Sequence, residues 1–226
     1  MSKAVFALNG FLGKPGDWNI FPSITHPIAL ENEHLSFKAW AKQFNQTIPQ
    51  REDKNILIGY SLGGRLAMHL LLDSPDHWAG AILVSVHPGL NSEVERAKRL
   101  ELDRSWGERF LSDSWENLMD DWNRNPIFNN RPFPSTRLEH EFNRQLLSRQ
   151  LNQWSLGRQK YLIPKLLQLK LPLLVLAGEE DKKFVSLSAN FAPFAQVKVI
   201  ANASHRVPWD IPKQFNDQIE TFIREI

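Results

Sequence analysis

Apolar residues fall along this chain in blocks of two kinds. Residues 4–8 (AVFAL), 55–58 (NILI), 80–84 (GAILV), 173–177 (LLVLA) and 196–200 (QVKVI) are brief runs, and 27–30 is a weaker one. Short runs that are apolar on both faces have the pattern of strands buried on two sides. The other blocks follow a helical period. Phe37, Trp40, Ala41, Phe44 and Ile48 mark a helix over 36–48, a second helix-forming run covers 65–72, and a closing helix covers 212–225. Strands mostly separated by helices predict an α/β fold: a mostly parallel sheet of about six strands with helices on both faces. There is no hairpin signal, internal repeat or low-complexity tract.

Between Val86 and Pro172 the pattern changes. Residues 88–160 read as helical, aromatic and charged, with no clear strand, and they hold four of the eight tryptophans and ten of the fourteen arginines. This predicts a helical cap inserted between two strands. The α/β core would then comprise 1–87 and 161–226.

Composition narrows the classes. A hydrophobic content of 42% with eight tryptophans can fill one substantial core. Net charge is only +2, from 27 basic and 25 acidic residues, which gives no electrostatic footprint for nucleic acid or an anionic membrane. With no cysteine, disulfides and thiolate metal sites are excluded. No apolar run approaches a membrane span, and the opening residues lack a signal-peptide layout. The expectation is a soluble, cytoplasmic protein whose partner is a small molecule.

Chemistry enters at IGYSLGGRLAM, residues 58–68. A strand feeds a helix through Ser61, with glycines at 59, 63 and 64. The spacing fits a nucleophile elbow, which presents a serine on a strained turn at a helix N-terminus. It also fits an ordinary strand–helix turn with a serine N-cap. A serine hydroxyl needs a histidine to take its proton and an acid to orient that histidine. The chain supplies both in the order serine, acid, histidine, each following a strand. Residues 171–178 run into Glu179, Glu180 and Asp181, and 196–203 run into Ser204 and His205. The spacing prefers Asp181 over Glu179 and Glu180. Backbone donors for an oxyanion would be the N–H groups of Leu62 and of Phe11, the latter in the loop Asn9-Gly10-Phe11-Leu12-Gly13.

Three arginines stand where a solvated surface does not explain them. On a helix spanning 92–111, Arg99 shares a face with Leu102, Trp106 and Phe110. On a helix spanning 135–153, Arg149 shares a face with Leu138, Phe142 and Leu146. Arg65 lies one turn after Ser61 on an otherwise apolar helix. A guanidinium on an apolar face needs an anion. A substrate with several carboxylates would supply one; buried ion pairs with Glu101, Asp120 or Asp121 would be the alternative.

GYSLGGRLAM (59–68), HPGL (87–90), ERAKR…DRSWGERFL (95–111), DWNRNPIF (121–128), SLGRQ (155–159), GEEDKKF (178–184) and ASHR (203–206) together resemble the 2-succinyl-6-hydroxy-2,4-cyclohexadiene-1-carboxylate (SHCHC) synthase family of α/β-hydrolase-fold enzymes. The resemblance covers most of the chain. It implies a lyase of menaquinone biosynthesis that removes a ring proton and expels pyruvate from an enolpyruvyl ether, with no cofactor or metal. It places the triad on Ser61, Asp181 and His205, the substrate arginines on Arg65, Arg99 and Arg149, and pocket-lining aromatics on Tyr60 and Trp122. Four departures stand out. Asn9-Gly10 replaces the family's His-Gly. ALENEHLSF (29–37) replaces its Pro-Gly-His-Gly run. The chain opens directly on the oxyanion strand, and the stretch between Arg149 and Ser155 is shortened.

Two other functions fit the same fold. A carboxylic-ester hydrolase, resembling pimeloyl-acyl-carrier-protein methyl ester carboxylesterase, would use the triad through an acyl-serine and its cap arginines toward an acidic carrier protein. A non-catalytic binding protein of this fold has no need of all three triad residues. Three inward arginines favour the lyase, because a simple ester needs fewer cations.

Overall fold

Every strand of the sheet runs parallel to its neighbours. The structure, a computed structural model, describes residues 3–49, 54–133 and 135–226. Its strands are β1 (Val5–Leu8), β2 (His26–Ile28), β3 (Asn55–Tyr60), β4 (Trp78–Val84), β5 (Leu173–Gly178) and β6 (Gln196–Ile200), in the order β2-β1-β3-β4-β5-β6. The expected α/β architecture is present, with strand ends within a few residues of those read from the pattern. The order reverses at β1: the chain steps outward to β2, then returns to β3 on the other side. In open α/β sheets such a switch point opens a crevice at the carboxyl ends of the two strands. Here it lies between the loops after β1 and β3.

Two-residue alternation splits the sheet's side chains between two cores. Val5, Ala7, Ile56, Ile58, Ile82 and Leu174 pack on one face, with Phe215, Ile219 and Phe222 of the closing helix over them. Phe6, Leu8, Leu57, Leu83 and Val175 pack on the other, under Trp40 and Leu66. The helices on the second face are α1 (Phe37–Thr47), capped by Ser36, and α2 (Leu62–Asp73).

Between β4 and β5 the chain leaves the sheet for α3 (Glu93–Ser112), α4 (Trp115–Asn123) and α5 (Arg144–Gln153), then returns through the single turn α6 (Ile163–Leu166). These helices enclose a small core of Phe110, Leu118, Leu147 and Leu151, against which Leu12 of the β1 loop packs. The excursion leaves and rejoins the sheet at one place. Leu90 bridges Lys160, and Leu162 N–H donates to the Pro88 carbonyl at 2.8 Å. Gly89 sits between them at φ +108, and a Cβ there would lie 2.1 Å from the Lys160 carbonyl oxygen. This is the physical content of HPGL.

One predicted helix is shorter than read. Over 135–153 only Arg144–Gln153 is α-helical, preceded by a single 3-10 turn at Glu139–Glu141. Asn143 caps α5 by accepting from Leu146 N–H at 3.0 Å, so the helix starts there. Leu138 is 46% exposed and shares no apolar face with Arg149. The rest of the chain comprises α7 (Lys182–Ser188), the turn α8 (Val207–Asp210) and α9 (Pro212–Glu225). Among the described residues no helix is long and apolar enough to cross a membrane.

Candidate active site

Ser61 sits in the turn between β3 and α2 with φ +52 and ψ −110. A non-glycine residue in that region costs on the order of 1–3 kcal/mol and persists only where its surroundings enforce it. The enforcement is close packing. A Cβ on Gly63 would lie 2.3 Å from the Asn9 carbonyl oxygen, and one on Gly59 would lie 2.6 Å from Gly64 Cα. The glycines therefore let the β1 loop and the elbow touch.

The loops after β5 and β6 bring two more side chains to Ser61. Its Oγ lies 2.9 Å from His205 Nε2, and His205 Nδ1 lies 2.7 Å from Asp181 Oδ2. Both partners are buried, at 1% and 3% exposure. Asp181 is the N-cap of α7 and accepts from Phe184 N–H, which fixes its carboxylate. Burial, with Arg206 and Lys183 nearby, pulls the His205 pKa below the usual imidazole value against the opposing pull of Asp181. His205 is thus neutral near pH 7 and free to accept a proton. Glu179 and Glu180 are engaged elsewhere: Glu179 accepts from Asn202 N–H, and Glu180 binds Asn129 and Arg131.

Above Ser61 lies a cavity of about 240 Å³ between the sheet loops and the excursion. Phe11, Tyr60, Leu62 and Trp122 line it. Leu62 opens α2, where a backbone N–H has no partner within the helix and the helix dipole favours an anion. Asn9, where the resemblance expects histidine, is 1% exposed, and neither of its side-chain polar atoms has a partner among the described residues. Burial raises the Tyr60 phenol above its ordinary pKa, so it stays protonated.

The arginines divide. Arg65 and Arg99 line the cavity; Arg149 does not. Arg65 donates to the Trp154 carbonyl at 2.8 Å and stacks over Phe37. Among the described residues it has no acidic partner within ion-pair distance. Burial and the neighbouring Arg99 pull its pKa down to about 9, so it remains charged at neutral pH. Arg99 pairs with Asp103 at 2.8 Å, an acid outside the set expected, and Asp103 also accepts from Ser155 Oγ. Arg149 is drawn to Glu33 at 2.6 Å, with half of its side chain in solvent. Glu33 belongs to the ALENEHLSF loop, so that loop engages Arg149 outside the cavity wall.

Sequence reasoning passed over one cavity cation. Lys183, two residues after Asp181 in the first turn of α7, lines the cavity and has no ion-pair partner among the described residues. Burial and Arg99 hold its pKa below the usual lysine value. Its signal was its nearness to Asp181, in the first turn of the helix that Asp181 caps. Among the described residues no three histidine or acidic side chains gather as metal ligands.

An elbow serine, a buried histidine–aspartate pair and a parallel sheet with a switch point define a class, and the sequence profile of the alpha/beta hydrolase family matches residues 10–218: the chain belongs to that family. Within it, the chain is 38% identical over 164 residues to the 2-succinyl-6-hydroxy-2,4-cyclohexadiene-1-carboxylate synthase of Photorhabdus laumondii. That match spans 70% of this chain and 59% of the relative. It is 28% identical over 236 residues to the protein of the same name from Serratia proteamaculans, spanning 96% of this chain and 91% of that one. Among solved structures, MenH from S. aureus superposes with a TM-score of 0.84 at 21% identity, covering 100% of this chain and 95% of that chain, which shows the shared fold.

Proposed function

We propose that this protein is an SHCHC synthase: a lyase that eliminates pyruvate from 2-succinyl-5-enolpyruvyl-6-hydroxy-3-cyclohexene-1-carboxylate. The observation that carries this reading is the pairing of a Ser61–His205–Asp181 relay with a cavity holding three cationic groups, Arg65, Arg99 and Lys183. Two of the three lack an acidic partner among the described residues. A cavity with unmet positive charge on its wall favours an anionic ligand, and each carboxylate met by a guanidinium gains a charge-assisted bond. A neutral ester gives these cations nothing to bind, which weighs against the carboxylesterase alternative. The shared name of the two relatives points the same way.

In this reading His205 takes the Ser61 proton, and Ser61 Oγ in turn takes the ring proton. The C–H pair from the ring carbon bearing the succinyl group becomes the C2=C3 double bond, the existing C3=C4 pair shifts to C4=C5, and the C5–O bond to the enolpyruvyl group breaks. The departing enolpyruvate gains a proton and leaves as pyruvate. Asp181 holds the imidazole in the tautomer that accepts at Nε2 and stabilises its charged form. The N–H groups of Leu62 and Phe11, at the positive end of α2, meet the oxygen on which charge develops. Residues 88–160 act as the cap that keeps water from the site, and Tyr60 and Trp122 form its apolar walls. No cofactor or metal takes part. The test is the appearance of the conjugated cyclohexadiene by ultraviolet absorbance. Its formation by the parent and its loss in His205→Ala is the expected result. No diene from the parent would overturn the reading.

A further inference from the structure

Immediately after His205 stands a guanidinium that none of this chemistry uses. Arg206 is 1% exposed, yet no carboxylate lies within ion-pair distance of it among the described residues. Its Cζ lies 3.9 Å from the ring centre of Phe128 and 4.0 Å from that of Phe133. Its Nη1 donates to the Arg131 carbonyl, and its Nη2 donates to Asn123 Oδ1 at 2.7 Å. These four partners belong to residues 123–133, the stretch from the end of α4 toward α5; Phe128 and Phe133 also line the cavity, and Tyr60 of β3 faces the same guanidinium. The same stretch reaches His205 directly: His205 N–H donates to the Ile127 carbonyl at 3.1 Å, and the Phe128 ring centre lies 5.8 Å from that of His205.

We propose that Arg206 is a positioning residue that clasps residues 123–133 against the loop carrying His205, and so holds the imidazole in register with Ser61. A buried guanidinium is costly unless it is fully engaged. Here two aromatic faces and two acceptors engage it, and a planar fork can meet all four at once where an ammonium cannot. The clasp joins the two halves of the cavity wall at the histidine itself, so closing the wall and aligning the imidazole become one event. The proposal rests on Ser61 and His205 acting as the proton-transfer pair.

Charge gives a second handle on the same residue. The charged and titratable groups around His205 are Asp181 and Lys183 after β5, Tyr60 from β3, Arg206 and Asp210 on its own loop, and Arg131 and Arg137 from the excursion. Arg206 is among those that hold the imidazole pKa down.

The probe is a fluorophosphonate, which reports on Ser61 without any assumption about the natural substrate. Ser61 Oγ attacks phosphorus, fluoride leaves, and His205 takes the hydroxyl proton. The rate of Ser61 labelling is measured against pH, per folded protein, well below each variant's Tm. Arg206→Met should slow labelling on the order of tenfold to a hundredfold and move the acid limb to higher pH. Arg206→Lys and Asn123→Ala should slow labelling with the acid limb unmoved, because the charge is retained. Parental rates in both Arg206→Lys and Asn123→Ala would overturn the proposal, even if Arg206→Met does not fold. So would an unshifted acid limb in folded Arg206→Met. A His205→Ala control separates the two readings. Labelling at the parental rate there would remove the proton-transfer pair and the proposal with it. Loss there, with no change in the clasp variants, would overturn the clasp alone.

Discussion

Arg149 donates to Glu33 across the junction between α5 and the loop after β2, at 2.6 Å, and this pair turns away from the cavity an arginine that its helix had been expected to aim inward. Gln150, the next residue, donates to the Leu30 carbonyl in the same loop and faces the cavity instead. One loop therefore contacts both neighbours on α5, and Gln150 rather than Arg149 lines the cavity.

The expected outcome is a split among the cationic variants. Arg99→Ala or Arg65→Ala removes a charge-assisted contact worth roughly 1.5–3 kcal/mol, so kcat/KM falls about tenfold to a hundredfold. Lys183→Met should fall in the same range. Arg149→Ala should stay within about threefold, because its partner is Glu33. Steady-state kinetics on the four variants checks this; equal losses at Arg149 and Arg99 would return Arg149 to the site.

Gly63→Ala should be damaging even though alanine favours helices. Its Cβ would lie 2.3 Å from the Asn9 carbonyl oxygen and 2.4 Å from that of Leu8, both backbone atoms that cannot swing aside. A loss of at least about 3 kcal/mol is expected, and for a chain of this length that lowers Tm by about 6–12 °C. Gly16→Ala, whose Cβ would meet only the Asn19 side chain at 3.8 Å, is the control and should leave Tm unchanged. Thermal melts by circular dichroism decide the matter.

His87 makes stability depend on pH. Its Nδ1 accepts from Gly89 N–H at 3.1 Å, a bond the doubly protonated ring cannot make. Burial, with Lys183 and Arg65 nearby, holds its pKa down to about 3, against an unfolded value near 6.5. Between those values the unfolded chain binds a proton that the folded chain refuses. Stability is therefore lost as pH falls from about 6.5 toward 3, at up to about 1.4 kcal/mol per pH unit from this group. Urea unfolding at pH 7, 5.5 and 4 should show a shallower decline in His87→Gln. Parallel declines in the two proteins would contradict it.

Much of the fold was legible because burial on two faces leaves short apolar strands, and because α1 and α9 keep an unbroken helical period through Phe37 and Trp40 and through Phe215, Ile219 and Phe222. Ser61, Asp181 and His205 could be selected because each follows a strand in a fixed chain order. What escaped depends on contacts that periodicity does not encode. The start of α5 is set by the Asn143 cap, which outweighs helical spacing reaching back to Leu138. The direction of Arg149 is set by Glu33, a residue 116 positions away in the sequence. Arg206 enters the sequence only as the end of the run ASHR, and no spacing shows that Phe128 and Phe133 close around it.

The central claim is elimination driven by Ser61. Supplying 2-succinyl-5-enolpyruvyl-6-hydroxy-3-cyclohexene-1-carboxylate and following pyruvate with a coupled dehydrogenase tests it most directly. The account predicts rapid pyruvate release by the parent and a loss of at least about a thousandfold in folded Ser61→Ala, since the relay acts as one unit. Pyruvate release at the background rate by the parent, alongside rapid cleavage of a pimeloyl methyl ester, would contradict it and make the protein an esterase.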